Sequence, residues 1–158
     1  MRIEEIKDIN RFLYYLNLKN NSMESPMWKK EEITVEYFSK IYSTYKIYLV
    51  KEEEKVIGGF LLLDHDYTYW SNEENEKSCY YIHKLFILKE YNKKGYSPQI
   101  IQAIIKEGKK HNKKAIRLDS RSHLISLNHF YENLGFRVVR VMISPYSGKM
   151  NLRELNIE

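Results

Sequence analysis

Lys93, Lys94 and Gly95 stand just ahead of a Ser97–Pro98 pair, with Tyr96 between, in the polar gap between two apolar segments. Serine is a favoured helix N-cap, and proline suits the first helical turn because it has no N–H to leave unpaired. The pair therefore predicts a helix that begins at Ser97. Gly95 permits backbone torsions and close approaches that a side chain forbids. Backbone N–H groups at the positive end of a helix, with lysines beside them, are suited to holding a phosphate group. The same letters also describe a solvated turn with a glycine for geometry, and this stretch alone does not separate the two. It is not a nucleoside-triphosphate P-loop, which needs a second glycine followed by Lys-Ser/Thr. It is not a dinucleotide fingerprint, which needs three glycines.

Other residue types invite a chemical reading. Tyr131 lies on an apolar helical face, where a packed aromatic with its hydroxyl at the rim is the ordinary role. His83 shares strand parity with Leu85 and Ile87, and a strand histidine is usually structural. Asp119 ends the stretch "IRLD" and reads first as a loop cap. "LDHDYTYW", Leu63 to Trp70, gathers two carboxylates, a histidine and aromatics. Consecutive residues rarely converge on one ion, so no metal is assigned there, and the segment reads as an acceptor-facing loop or a surface turn. Trp28 reads as a helix anchor. Cys79 has no feature that marks it as a nucleophile.

These residues need elements to hold them. "MRIEEI" opens as a short strand. "DINRFLYYLNL" has helical spacing at Ile9, Phe12, Leu13 and Leu16 behind an aspartate cap, and "TVEYFSKIY" repeats it at Val35, Phe38, Ile41 and Tyr42. Strands "KIYLV" and "KVIGGFLLL" follow, joined by the charged turn "KEEE". "SCYYIHKLFIL" is a third, longer strand and "KAIRLDS" a fourth. A helix from Ser97 presents Ile100, Ile101, Ile104 and Ile105. A second, Leu124 to Leu134, presents Leu124, Leu127, Phe130, Tyr131 and Leu134, and Gly135 stops it. "FRVVRVMI" and "KMNLREL" close the chain as strands. Helices interspersed with strands in this order predict an α/β or α+β layer around one mixed sheet.

At 158 residues the chain predicts one domain, 1–158, with a real core. No run of about 18 apolar residues offers a membrane span, and "MRIEEIKDINRF" has no apolar signal core. A lone Cys79 excludes an internal disulfide framework and suits a reducing cytoplasm. The net charge of +5 is spread out. Its densest cluster, "KKHNKK", falls near a predicted helix end, where cations complement the dipole. Nucleic acid is therefore not expected as a partner, and neither is a membrane.

"YIHKLFILKEYNKKGYS" followed by "LNHFYENLGFRVV", one strand–helix unit later, resembles the GNAT superfamily of acetyl-CoA-dependent N-acetyltransferases. In that family a strand ending L-x-V leads into R/Q-x-x-G-x-G/A, and later comes N-x-x-A-x-x-L/F-Y-x-x-x-G-F. Leu85, Phe86 and Ile87 occupy the strand end. Asn92, Lys93, Lys94, Gly95, Tyr96 and Ser97, with Pro98 behind them, fill the pyrophosphate loop. Phe130, Tyr131, Gly135 and Phe136 match the second motif. Asn92 stands for the usual Arg or Gln, and Ser97 for the last glycine. Leu124 stands where an asparagine commonly contacts the pantetheine arm. Asn128, one turn before Tyr131 on the same face, is assigned that contact instead. The resemblance covers about residues 46–143.

The resemblance implies a GNAT-like, mixed and mostly antiparallel sheet flanked by helices on both faces. It implies acetyl transfer from acetyl-CoA, as cosubstrate and without a metal, to a primary amine by direct attack. Leu85–Ile87 would lend backbone groups to the thioester arm, and Tyr131 would be the acid for the departing thiolate. His83, Asp119 or a relayed water would take the amine proton. The alternative is a non-catalytic CoA-binding or sensing domain of the same fold. The acceptor amine is not legible, and a homodimer is compatible with the sequence.

Overall fold

The computed structural model describes residues 1–42, 44–70, 78–145 and 147–158. Seven strands are hydrogen-bonded in the order β1-β2-β3-β4-β5-β7-β6. Their spans are Arg2–Ile6 (β1), Lys46–Glu52 (β2), Lys55–Leu63 (β3), Cys79–Ile87 (β4), Ala115–Arg121 (β5), Arg137–Ser144 (β6) and Gly148–Asn156 (β7). Four α-helices accompany them: Ile9–Asn21 (α1), Val35–Ile41 (α2), Tyr96–Lys110 (α3) and Ile125–Asn133 (α4). This is the mixed, mostly antiparallel architecture expected from the sequence. The described residues fall into two compact units, Met1–Leu63 with His83–Gln99, and Asp64–Ile82 with Ile100–Glu158.

In the first unit β1, β2 and β3 form an antiparallel meander, with Glu4 opposite Leu49 and Leu49 opposite Gly59. Asp8 caps α1 as its sequence predicts, its Oδ1 accepting from the N–H groups of Asn10 at 3.0 Å and Arg11 at 3.4 Å. Thr34 caps α2 in the same way through Tyr37. Helix α1 buries Phe12, Leu13 and Leu16. The Phe12 ring meets Phe86 of β4 edge-on at 5.6 Å, so α1 and the end of β4 share one apolar cluster.

In the second unit β5 pairs antiparallel with β7 over its full length, and β7 pairs with β6. The parallel pairing of β4 with β5 joins Cys79, Tyr80 and Tyr81 to Ala115, Ile116 and Arg117, the first three residues of each strand. The core here includes Trp70, Tyr81, Ile100, Ile101, Leu118, Phe136 and Leu152. A buried arginine is satisfied within it. Arg117 donates through Nε to Glu154 and through Nη1 to the Tyr81 hydroxyl, each at 2.8 Å, and its guanidinium lies 4.4 Å from the Trp70 ring centroid.

Two helix expectations are corrected. Helix α3 starts at Tyr96, so Ser97 and Pro98 are its second and third residues, and its inward stripe is Ile100, Ile101, Ile104 and Gly108. Ile105 is only half-buried. Helix α4 buries Asn128 and Tyr131, while Leu124, Leu127, Phe130 and Leu134 are half-buried. An apolar-periodicity reading centres the face on leucines and cannot see that a polar Asn128 lies at its middle. Gly135, at φ +95°, ends α4 as expected.

Candidate active site

The phosphate-binding candidate lies in the first unit. From Leu85, Phe86 and Ile87 at the end of β4 the chain passes through a 3-10 turn, Lys89–Tyr91, to Asn92 and then to the start of α3. Lys93 has φ +59° and Gly95 φ +81°. Left-handed residues of this kind occur in the backbone nests that hold anions. A Cβ built on Gly95 would have nothing of this chain within 4 Å, so a group of phosphate size can approach the backbone there. Pro98 donates no N–H, and Gln99 folds its amide back onto the Gly95 carbonyl at 3.2 Å. Tyr96 is hydrogen-bonded to Glu52; desolvation first, and then that carboxylate, raise its phenol. Lys94 Nζ lies 5.6 Å over the Tyr91 ring. Lys19, at the end of α1, donates from Nζ to Asn92 Oδ1 at 3.1 Å.

Upstream on β4, Lys84 takes φ +53°, a left-handed residue inside a strand. Such a residue interrupts the two-residue alternation, as in a bulge. The shared parity of His83 with Leu85 and Ile87, read from the sequence, therefore does not carry through the strand. His83 is buried, with its ring 4.8 Å from that of Tyr42. Lys84 Nζ lies 5.4 Å from the Trp28 ring and 5.7 Å from that of Tyr37. Trp28 is tied by its main chain to Asn20, which donates to the Trp28 carbonyl at 2.7 Å and accepts its N–H at 3.1 Å.

The second unit brings Tyr131, Asn128 and Asp119 together. Tyr131 is 7% exposed and its ring meets Phe136 edge-on at 5.7 Å. Burial raises its phenol well above the ordinary range; the Asp119 carboxylate adds to this and the Arg153 guanidinium opposes it. Asp119 is half-buried on β5, opposite Leu152 of β7. The Asp66 carboxylate approaches that of Asp119 within 4.8 Å. Asp66 is itself held in an Asx turn, accepting from the N–H groups of Thr68 at 3.1 Å and Tyr69 at 3.2 Å. "LDHDYTYW" is thus a hydrogen-bonded turn. Its Trp70 is in the core, and its Asp64 pairs with Lys113 at 3.1 Å.

Asn128 is the polar hub of this unit. Its Oδ1 accepts from Ser120 Oγ at 2.7 Å, Asn151 Nδ2 at 3.0 Å, and Arg153 Nη2 and Nε at 3.2 and 3.3 Å. Its Nδ2 donates to the carbonyls of Leu124 at 2.8 Å and Arg121 at 2.9 Å. Both amide hydrogens are therefore engaged within the protein, and a pantetheine contact would have to replace one of them.

The family model of the acetyltransferase (GNAT) family matches residues 5–136. The chain belongs to the GNAT acetyltransferases. No curated protein sequence matches it. Solved structures share its fold at low identity. The ribosomal-protein-S18-alanine N-acetyltransferase from Escherichia coli is 13% identical with a TM-score of 0.69, over 99% of this chain and 94% of that one. A Bacillus subtilis acetyltransferase in complex with CoA is 16% identical with a TM-score of 0.68, over 98% and 97%. A spermidine N-acetyltransferase variant from Vibrio cholerae is 16% identical with a TM-score of 0.68, over 99% and 95%.

In this GNAT chain the sequence-assigned residues divide between the units. His83, Leu85–Ile87 and Asn92–Pro98 lie in the first; Asp119, Asn128 and Tyr131 lie in the second. Sequence reasoning missed Lys19, Lys84 and Arg153. Lys19 and Lys84 are lysines among many, with no local motif. Arg153 sits in "KMNLREL", where a strand reading leaves a buried cation unmarked. Among the described residues no helix is long and apolar enough to cross a membrane.

Proposed function

We propose that this acetyltransferase moves an acetyl group from acetyl-CoA to a primary amine by direct attack, with residues 1–158 working as one catalytic domain. The observation that carries the reading is the loop at Gly95. It has left-handed backbone at positions 93 and 95, open space at the glycine, and the start of a long helix immediately after it. In this reading Asn92–Pro98 hold the pyrophosphate and the backbone of Leu85–Ile87 aligns the thioester arm. The amine nitrogen forms the C–N bond and the C–S bond breaks with its electron pair on sulfur. His83, Asp119 or a relayed water accepts the amine proton.

Tyr131 serves the sulfur. Because burial holds its phenol neutral, it keeps a hydrogen to donate throughout the neutral range. An ordinary thiol has a pKa of about 8.5. Full transfer from so weak an acid is uphill, so Tyr131 lowers the barrier mainly by hydrogen-bonding the charge that develops on sulfur. Asn128, with its amide already engaged, orients α4 beneath Tyr131 rather than reaching the cofactor. A reducing cytoplasm without nucleic-acid or membrane partners belongs to the same reading. It is supported by the single, buried Cys79 and the scattered lysines.

The test is release of free thiol from acetyl-CoA across a library of amines, including polyamines, amino sugars and peptides with free N-termini. Release with one amine class supports the proposal and identifies the acceptor. Tight CoA binding with no release from any amine overturns the catalytic reading in favour of a CoA-sensing domain.

A further inference from the structure

Lys19 belongs to no motif of the family resemblance and sits on the last turn of α1, yet its side chain reaches the loop 73 residues further along the chain. Its Nζ is 3.1 Å from Asn92 Oδ1, and among the described residues that is its only side-chain hydrogen bond. The ammonium is half-buried, and desolvation depresses its pKa, offset in part by the charge of Glu90. A cation drawn out of water costs free energy unless an anion compensates it. Here the contacting acceptor is a neutral amide, and among the described residues Glu90, whose charge acts on Lys19, makes no ion pair with it. Two of the three ammonium hydrogens are left for another acceptor.

The surroundings say what that acceptor is. Asn92 opens the segment in which Lys93 and Gly95 are left-handed and from which α3 departs. Asn92 accepts from Lys19 through Oδ1, which leaves its side-chain NH2 as a further donor. Lys19, Asn92 and the backbone around Gly95 therefore form a donor-rich edge drawn from two separate elements of the first unit. Glu90, which is exposed to solvent, opposes the charge of Lys19, and the Glu52 carboxylate is engaged with Tyr96 on the other side of Gly95.

We propose that Lys19 is a phosphate-binding residue of this site, reaching from α1 to contact the pyrophosphate of the cosubstrate in concert with Asn92. The inference rests on the reading of the Gly95 loop as the pyrophosphate site. Lys19 then acts in binding and takes no part in the chemical step, so its contribution falls on affinity.

The experiment compares wild type with Lys19→Gln and Lys19→Arg, using CoA, dephospho-CoA and pantetheine as calorimetric probes. Gln still offers Asn92 a donor but removes the charge, whereas Arg keeps the charge. Loss of a charge-assisted contact of this half-exposed kind in Lys19→Gln is expected to weaken binding of CoA and dephospho-CoA alike by about threefold to tenfold. The deficit should shrink as salt rises. It should be absent with pantetheine, which has no phosphate, and largely restored in Lys19→Arg. With an active acceptor the loss should appear in KM for acetyl-CoA rather than in kcat. Equal CoA affinity of wild type and Lys19→Gln overturns the inference, as does a salt-independent deficit, which would make Lys19 a mere loop tether. A deficit with CoA but not with dephospho-CoA overturns the pyrophosphate assignment. Failure of wild type itself to bind CoA would instead sink the reading of the loop, so the two failures are distinct.

Discussion

Removing the Asn128 side chain is the perturbation whose size the structure specifies best. Asn128 is 7% exposed, and Arg153, which donates two N–H groups to it, is 3% exposed. In Asn128→Ala those guanidinium donors, the Ser120 hydroxyl and the Asn151 amide lose an acceptor, and two main-chain carbonyls lose a donor. A buried polar group left unsatisfied costs about 1–3 kcal/mol, with charged donors at the upper end. The groups share one partner and can relax together, so their costs do not add. The charged Arg153 dominates, and the expected loss is about 3 kcal/mol. At about 2–4 °C per kcal/mol for a chain of this size, the melting temperature should fall by roughly 6–12 °C. The assay is a melt followed by circular dichroism, with calorimetric CoA titration of the folded variant well below its transition. A variant that melts within about 2 °C of wild type and binds CoA more weakly would refute the scaffolding argument. It would return Asn128 to the pantetheine contact.

Tyr131→Phe keeps the ring contacts with Phe130 and Phe136. Steady-state turnover should fall at least about tenfold with melting temperature and CoA affinity nearly unchanged; wild-type turnover would reduce Tyr131 to a core aromatic. Because its phenol is raised, its contribution to stability is constant below about pH 10 and is lost as pH climbs from there toward the folded value, so no falling limb of the rate below that pH originates in Tyr131. Gly95→Val places a branched side chain at φ +81°, costing about 1–2 kcal/mol of stability. It should also weaken CoA binding by at least about tenfold, one contact's share; unchanged affinity in the folded variant would remove the loop from the site. If His83 is the base, His83→Gln abolishes the limb of the rate that rises with pH while Asp119→Asn retains it; the reverse assigns the role to Asp119, and retention in both assigns it to a relayed water.

Local chemistry was written in the sequence wherever one stretch of chain decides the outcome. Asp8 caps α1, the β2–β3 hairpin turns at its charged residues, and Gly135 stops α4. Each of these depends on backbone geometry within a few residues, which residue type controls directly. The order of the two motifs around Gly95 and Tyr131 was likewise enough to indicate the family. Tertiary structure alone decided what depends on distant partners. The left-handed Lys84 undid the strand parity by which His83 had been placed, and no glycine advertised it. Asn128 was given a ligand contact from its helical face, but its partners come from β5, the turn after it, and β7, as many as 25 residues away. Lys19 acquired a place beside the Gly95 loop only because the last turn of α1 meets Asn92. A side chain's hydrogen-bonding capacity is fixed by its type, but which groups exhaust that capacity is settled by packing, and packing brings together residues that the sequence holds far apart.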